Sequence, residues 1–243
     1  MKISKEQIQL LKKAPNSLYE PLKCEFLFHS NKLEGSNFSK EDLTQLIEEK
    51  RIAGTYSVED VLETLNSVEV FGFIVDTLGA PIIKDFLCKL NSRLFYCTKY
   101  EKAGFAGHYK EIPNRIRNSS VQLAHPSEVE PAIEALISEW NASKKEFSDV
   151  VNFHICFEGI HPFQDGNGRI GRFIVLKQCI ENDIDLVFVD SERGHSYRKA
   201  LEVAQIEGQN ESLYLEFLAC QKKLDAEFEA RGLMDLLPVI GEE

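Results

Sequence analysis

Apolar residues in this chain recur three and four positions apart far more often than they alternate, which is the spacing of helices with one buried face. "EQIQLLKK" (6–13) and "EPLKCEFLFHSNKLEG" (20–35) both show it, and the second closes on Gly35, a residue suited to a helix C-terminus. "SKEDLTQLIEEK" (39–50) starts with Ser39 in the N-cap position and acids in its first turn, where they complement the helix dipole. The same start recurs at Ser57, ahead of the long apolar face of "SVEDVLETLNSVEVFGFIVDTL" (57–78). Pro81 reads as the first-turn proline of "PIIKDFLCKLNSRLF" (81–95). Further helical patterns are "PSEVEPAIEALISEWN" (126–141), "FSDVVNFHICFEGI" (147–160), "GRIGRFIVLKQCIEN" (168–182), "SYRKALEVAQIEG" (196–208) and "NESLYLEFLACQKKLDAEFEA" (210–230). One stretch breaks the pattern. "KEIPNRIRNSSVQLAH" (110–125) has short β-prone pieces around an "RNSS" turn and predicts a small hairpin or flap. The final "LMDLLPVIGEE" is expected to fray or to pack as a tail. The fold class predicted is mainly α with one small β-hairpin.

At 243 residues, 43% of them hydrophobic and 28% charged, the chain can bury a sizeable core. A net charge of −11 argues against a broad nucleic-acid-binding face, although a local cationic pocket is compatible with it. The N-terminal "MKISKEQIQLLKK" has no continuous apolar region, and no apolar run approaches the ~18 residues of a membrane span. The six cysteines show no CxxC spacing and read as buried, reduced thiols, so a cytoplasmic protein is expected. His29, His108, His125, His154 and His195 show no ligand spacing and read as structural or exposed; Trp140 reads as core.

The chemistry concentrates in "HPFQDGNGRIGR", His161 to Arg172. The preceding helix delivers His161, and Pro162 prevents that helix from continuing. The loop then feeds the N-terminus of the next helix, where free backbone N–H groups and the helix dipole favour an anion. Gly166 and Gly168 allow close approach of a ligand to the backbone. Arg169 and Arg172, three apart, add two cationic forks on one helix face. Asp165 would repel a phosphate unless a divalent cation bridged the two. His161 is a base candidate that ordinarily titrates near neutral pH. Upstream, Ser30 and Glu34 lie four apart on one face of the second helix.

The run H-P-F-x-D-G-N-G-R-x-x-R resembles the signature of the Fic (filamentation induced by cAMP) domain family, with every fixed position filled. The resemblance extends over roughly Pro81 to Leu218 and implies a Fic-type helical bundle. It divides the chain into an N-terminal helical region (1–80) holding an inhibitory helix at about 19–35, a catalytic core (81–220), and a C-terminal helix end and tail (221–243). The activity implied is AMP transfer from ATP to Tyr, Thr or Ser hydroxyls of proteins, this chain among them. His161 would deprotonate the hydroxyl, and Asp165 would hold Mg²⁺ between the α- and β-phosphates. Gly166, Asn167 and Gly168 would cradle the phosphates, with Asn167 on the α-phosphate, Arg169 on the β-phosphate and Arg172 on the γ-phosphate. A related branch that transfers phosphate carries lysine at the second glycine; Gly168 therefore favours AMP transfer. In the flap, Ile116, Arg117, Asn118 and Ser119 would lie over the nucleotide, and Tyr197 and Gln205 would contact adenine.

The string S-x-x-x-E-G, from Ser30 to Gly35, is similar to the family's inhibitory motif, whose glutamate pairs with the second loop arginine. Glu34 would hold Arg172 away from the γ-phosphate, and its second reading is a base for hydrolytic AMP removal. Other readings left open are a transferase using another nucleotide donor and a nucleotide-sensing interaction module. The expected partners are ATP and a protein substrate, with a homo-oligomer left open and neither nucleic acid nor membrane.

Overall fold

The computed structural model describes residues 1–116 and 119–238. Eleven α-helices are present among them: α1 Lys5–Lys13, α2 Tyr19–Leu33, α3 Lys40–Glu49, α4 Val58–Asp76, α5 Lys84–Leu94, α6 Lys99–Lys102, α7 Pro126–Ala142, α8 Phe147–Ile160, α9 Asn167–Glu181, α10 Gly194–Glu207 and α11 Glu211–Ala230. No strand occurs among the described residues.

Several boundaries follow the local chemistry read above. The hydroxyls of Ser39 and Ser57 accept the backbone N–H of Asp42 and Asp60, satisfying donors that the first helical turn leaves free. Gly35, just beyond the C-cap of α2, takes φ 93°, which no Cβ opposes. Pro81 departs from expectation. It stands ahead of α5, whose N-cap is Ile83, so it shapes the approach to the helix and not its first turn.

The predicted hairpin is not formed. Arg117 and Asn118 lie outside the described residues, and the two arms, 110–116 and 119–125, contain no ladder. Their polar groups go elsewhere: the Lys110 N–H donates to the Pro162 carbonyl at 2.8 Å, and Ser119 and Ser120 donate to the Glu202 carboxylate at 3.0 and 3.3 Å. Pro113 also removes one donor that a ladder would need.

At the centre runs α9, where every residue from Arg169 to Ile180 is buried. It packs on α8 along its length and also touches α2, α4 and α5. Phe26 of α2 joins three parts of this core, with ring centroids 4.9 Å from Phe173, 5.7 Å from Phe71 and 5.3 Å from Phe188. Phe26, Ser30 and Glu34 are spaced by four and share a helix face, so the packing of Phe26 on Phe173 aims the other two at Arg172, the neighbour of Phe173.

A buried carboxylate ties the same helix to its surroundings. Glu25 is bonded by His29 (3.1 Å), Lys40 (2.6 Å) and Arg231 (3.1 Å), and burial, which alone would raise its pKa, is outweighed by His29 and Lys40, leaving it at about 2. Glu25, His29 and Glu227 gather closely, a proximity their positions in the chain do not announce. Lys40 and Arg231 already neutralise this cluster.

Cys24, Cys179 and Cys220 are buried, Cys88 is partly buried, and all six are free thiols. Cys97 and Cys156 are exposed, against expectation: Cys156 because a thiol in an apolar helix faces whichever way its turn directs it, and Cys97 because it sits in the turn between α5 and α6, with φ 61°. Trp140 is buried, and the tail packs back as far as Pro238, whose carbonyl accepts from Gln7. Among the described residues no helix is long and apolar enough to cross a membrane.

Phe26→Ala is expected to lower stability by ~3–5 kcal/mol, the usual cost of emptying a filled aromatic site. Leu10→Ala, at a half-exposed position, should cost under ~1 kcal/mol. Denaturant midpoints of the two variants check the difference.

Candidate active site

The turn from α8 into α9 shapes the site. His161 caps α8 in the left-handed conformation (φ 52°, ψ 61°), which costs a non-glycine residue ~1–3 kcal/mol and persists only where its surroundings hold it. Phe163 is fully buried and anchors the loop. Asn167 closes the turn: its side-chain oxygen accepts the Phe163 N–H (2.8 Å) and its amide donates to the Phe163 carbonyl (2.9 Å). The amide, 1% exposed, is committed inside the loop, and Asn167 offers outward only its backbone N–H. Gly166 is required twice over. Its φ is 80°, and a Cβ there would stand 2.7 Å from the Phe95 ring.

The first turn of α9 has no intrahelical acceptors for its N–H groups and forms an anion site. A carboxylate of this chain lies beside it, against Gly168. A Cβ on Gly168 would collide with Glu34 Oε1, and the same oxygen accepts from Arg172 Nη2 at 2.6 Å. Ser30 completes the clamp: its hydroxyl oxygen accepts from Arg172 Nε and its carbonyl from Nη2, both at 3.0 Å. Burial alone would raise the Glu34 pKa; Arg172 and then Arg169 hold it below the usual carboxylate range. The structure thus brings Ser30, Glu34, Gly168 and Arg172 together.

Arg169 is held as well, by a partner the local pattern does not reveal. Its Nη1 donates to Glu63 of α4 at 2.5 Å, while its Nε has no partner. A cleft of about 200 Å³ opens between the two ion pairs, lined by Asn31, Glu34, Glu63 and Arg169 among others. Nothing in the spacing of α4 marks Glu63, because its significance arises only where α4 crosses α9.

His161 is partly exposed, and its Nδ1 faces the Glu158 carbonyl at 3.4 Å and carboxylate at 3.9 Å. Burial and then the nearby Lys110 ammonium push its pKa down to about 4, so the imidazole is neutral at pH 7. Glu158 is pushed up to about 8 by burial, partly opposed by Arg172. His154, 0% exposed, is driven to about 3 by burial and then by Arg172; its Nε2 lies 2.8 Å from the Tyr197 hydroxyl. An acid and a histidine four apart in the apolar "FHICFEG" were the available signal for this buried pair. Asp165, partly exposed, accepts the Gly166 N–H at 2.6 Å, and its carbonyl is fixed by Asn91 (3.2 Å).

The expected adenine contacts fare differently. Tyr197 is 3% exposed behind Arg172, its ring near Phe217 and His154, so it is not open to a base in this conformation. Gln205 donates to the Ile155 carbonyl at 3.3 Å and lines an open cleft of about 860 Å³ with Ser120, Val121, Gly159 and Ile160. Ile116 and Ser119 border the undescribed pair Arg117 and Asn118 at the edge of the loop, and the Ser119 hydroxyl is held by Glu202.

Comparison with known proteins bears on this arrangement. The sequence model of the Fic/DOC family matches residues 81–179. A protein of Aquifex aeolicus, named a probable protein adenylyltransferase, is 38% identical over 85 residues, 33% of this chain and 25% of that protein. Protein adenylyltransferase Fic of Nematostella vectensis is 24% identical over 194 residues, 73% of this chain and 42% of its own length. The chain thus spans less than half the length of either relative. Among solved structures, a Fic-domain signaling protein from Bacteroides thetaiotaomicron superposes with a TM-score of 0.73 at 21% identity, covering 91% of this chain and 90% of that one. Fic-1 from C. elegans gives 0.76 at 14% identity, covering 95% and 70%. These two likenesses show the fold. Residues 81–179 thus match the Fic/DOC family in sequence, and the two structures above show the same fold.

Proposed function

We propose that this protein transfers AMP from ATP to protein hydroxyl groups and that α2 holds it in an inhibited state. The observation that carries the reading is the Glu34 carboxylate, which lies against Gly168 at the start of α9 and engages Arg172. A triphosphate would need both positions.

In the transfer, a substrate hydroxyl oxygen attacks the α-phosphorus, the bond to the bridging oxygen of the β-phosphate breaks, and pyrophosphate leaves. Little covalent work falls to the protein in such chemistry, so positioning and charge neutralisation dominate. Neutral His161 takes the hydroxyl proton on the nitrogen facing away from Glu158. The N–H groups of the first turn of α9 receive phosphate oxygens, and Arg169 and Arg172 neutralise the β- and γ-phosphates once Glu63 and Glu34 release them. Asp165 fits Mg²⁺, which takes one or two hard carboxylate ligands and completes its shell from phosphate and water. Bound there, the ion would offset charge between the α- and β-phosphates.

Glu34 also supports a second activity of the same site. Its carboxylate stands close enough to raise the His161 pKa, and with a water in place of the hydroxyl it would serve AMP removal.

Glu34→Gly should raise AMP transfer to the chain's own hydroxyls and to proteins of a lysate. A bias of ~3 kcal/mol towards the inhibited state leaves under about one percent competent, so release raises the rate about a hundredfold. Glu34→Gly combined with Arg172→Ala should stay inactive. Label from α-labelled ATP, followed on protein, checks both, and an unchanged rate in Glu34→Gly would remove the inhibitory role.

His161→Ala should abolish transfer while ATP affinity, read by calorimetry, stays within about twofold, because the base acts on the acceptor and not on the donor. Asp165→Ala should erase the difference between ATP affinities measured with and without Mg²⁺. If the native chain shows no such difference, Asp165 holds no metal.

A further inference from the structure

The machinery around His161 leaves one charged side chain unexplained. Lys110 is 3% exposed, yet none of its hydrogen-bond partners is a carboxylate. Its ammonium donates to the Ile160 carbonyl (3.2 Å) and to Asn114 Oδ1 (2.9 Å). Its backbone N–H donates to the Pro162 carbonyl (2.8 Å), and Asn114 Nδ2 donates to the Phe163 carbonyl (3.0 Å). The carbonyls on either side of His161, and the one after, are therefore all taken by one five-residue strap.

We infer that Lys110, supported by Asn114, is a positioning residue for His161: the strap holds the base in its left-handed conformation and keeps a cation against the C-terminal end of α8, beside the imidazole. The inference rests on the reading of His161 as the base. Two physical effects meet there. First, the last carbonyls of a helix have no intrahelical donors, and a cation is the favoured partner at that negative end of the dipole. Lys110 supplies it at Ile160, and the peptides flanking His161 cannot rotate without breaking these bonds. Second, a cation beside an imidazole disfavours its protonated form.

That second effect has an opponent. His161 is faced by Glu158 from α8, Glu34 at the end of α2 and Asp165 from its own loop, and the Glu158 carbonyl, then the Glu34 and Asp165 carboxylates, favour the imidazolium. A base that already carries a proton cannot accept another. Burial and then Lys110 hold the His161 pKa down against these groups. The ammonium itself is pushed down to about 8 by burial, so it remains largely charged at neutral pH and loses its proton just above.

The test needs no substrate. In the full chain without nucleotide, ¹³C-histidine NMR follows each imidazole against pH, with His161→Ala used for assignment. Lys110→Met is expected to raise the His161 pKa by about one unit, since one nearby cation is lost, whereas Lys110→Arg, which keeps the charge, should leave it within about 0.3 unit. A His161 pKa unmoved by Lys110→Met overturns the electrostatic role. Should that variant fail to fold, the unaltered chain decides the question. Its His161 resonance should show a second inflection near pH 8 as Lys110 deprotonates, and a featureless resonance from pH 6 to 10 overturns the proposal. Both readouts are blind to AMP transfer. An inactive protein with the expected shifts would count against His161 as the base and leave the coupling intact.

Discussion

A guanidinium buried to 3% exposure must be neutralised, and Arg172 places that demand at the centre of the molecule. It sits on α9, which is buried along its length, so bulk water cannot supply the counter-charge. Glu34 and Ser30 supply it from α2. The position of α2 is in turn set by apolar packing, with Phe26 wedged between Phe71, Phe173 and Phe188. The hydrophobic core and the ion pair are thus two consequences of one helix seating, because residues four apart on α2 serve both.

The same demand organises the proposed chemistry. Arg169 and Arg172 project from the first turns of one helix, and both are met by carboxylates of the N-terminal helices. An incoming triphosphate would have to replace those carboxylates as counter-charge, so its binding and the release of α2 and α4 would be linked. Farther into the fold, Glu158 and His154 stay uncharged at neutral pH because burial leaves each too little solvation to ionise. The electrostatic state of the site accordingly depends on few charges: Arg169 and Arg172 with their carboxylates, Lys110, and Asp165.

Much of this was legible in order along the chain. Ser39, Ser57 and Gly35 act over three or four residues, and a local hydrogen bond or a positive φ is decided by neighbours in sequence. The loop from His161 to Arg172 is equally local, since its glycines, its proline and the helix start make one turn. Pro81 shows the limit: a proline is as acceptable just before a helix as in its first turn, and pattern alone does not separate the two. The hairpin failed for a related reason. β-prone pieces pair only when their partners are free, and the polar groups of 110–125 are drawn instead to the 160–163 backbone and to Glu202.

By itself the amino-acid sequence determined the helical periodicity, most helix starts and stops, the anion-seeking turn and the pairing of Ser30 and Glu34 on one helical face, all consequences of spacing within about eight residues. Only the tertiary structure decided what that face meets. It placed Glu63 on Arg169, closed Asn167 onto Phe163, buried Tyr197 behind Arg172, and brought Lys110 to the carbonyls around His161. Each of these joins is made by the seating of packed segments, or the closing of a turn, and depends on the fit of side-chain volumes and the satisfaction of buried polar groups. Contacts across 50 or 106 residues leave no periodic mark in either partner, so they become visible only once the helices are packed.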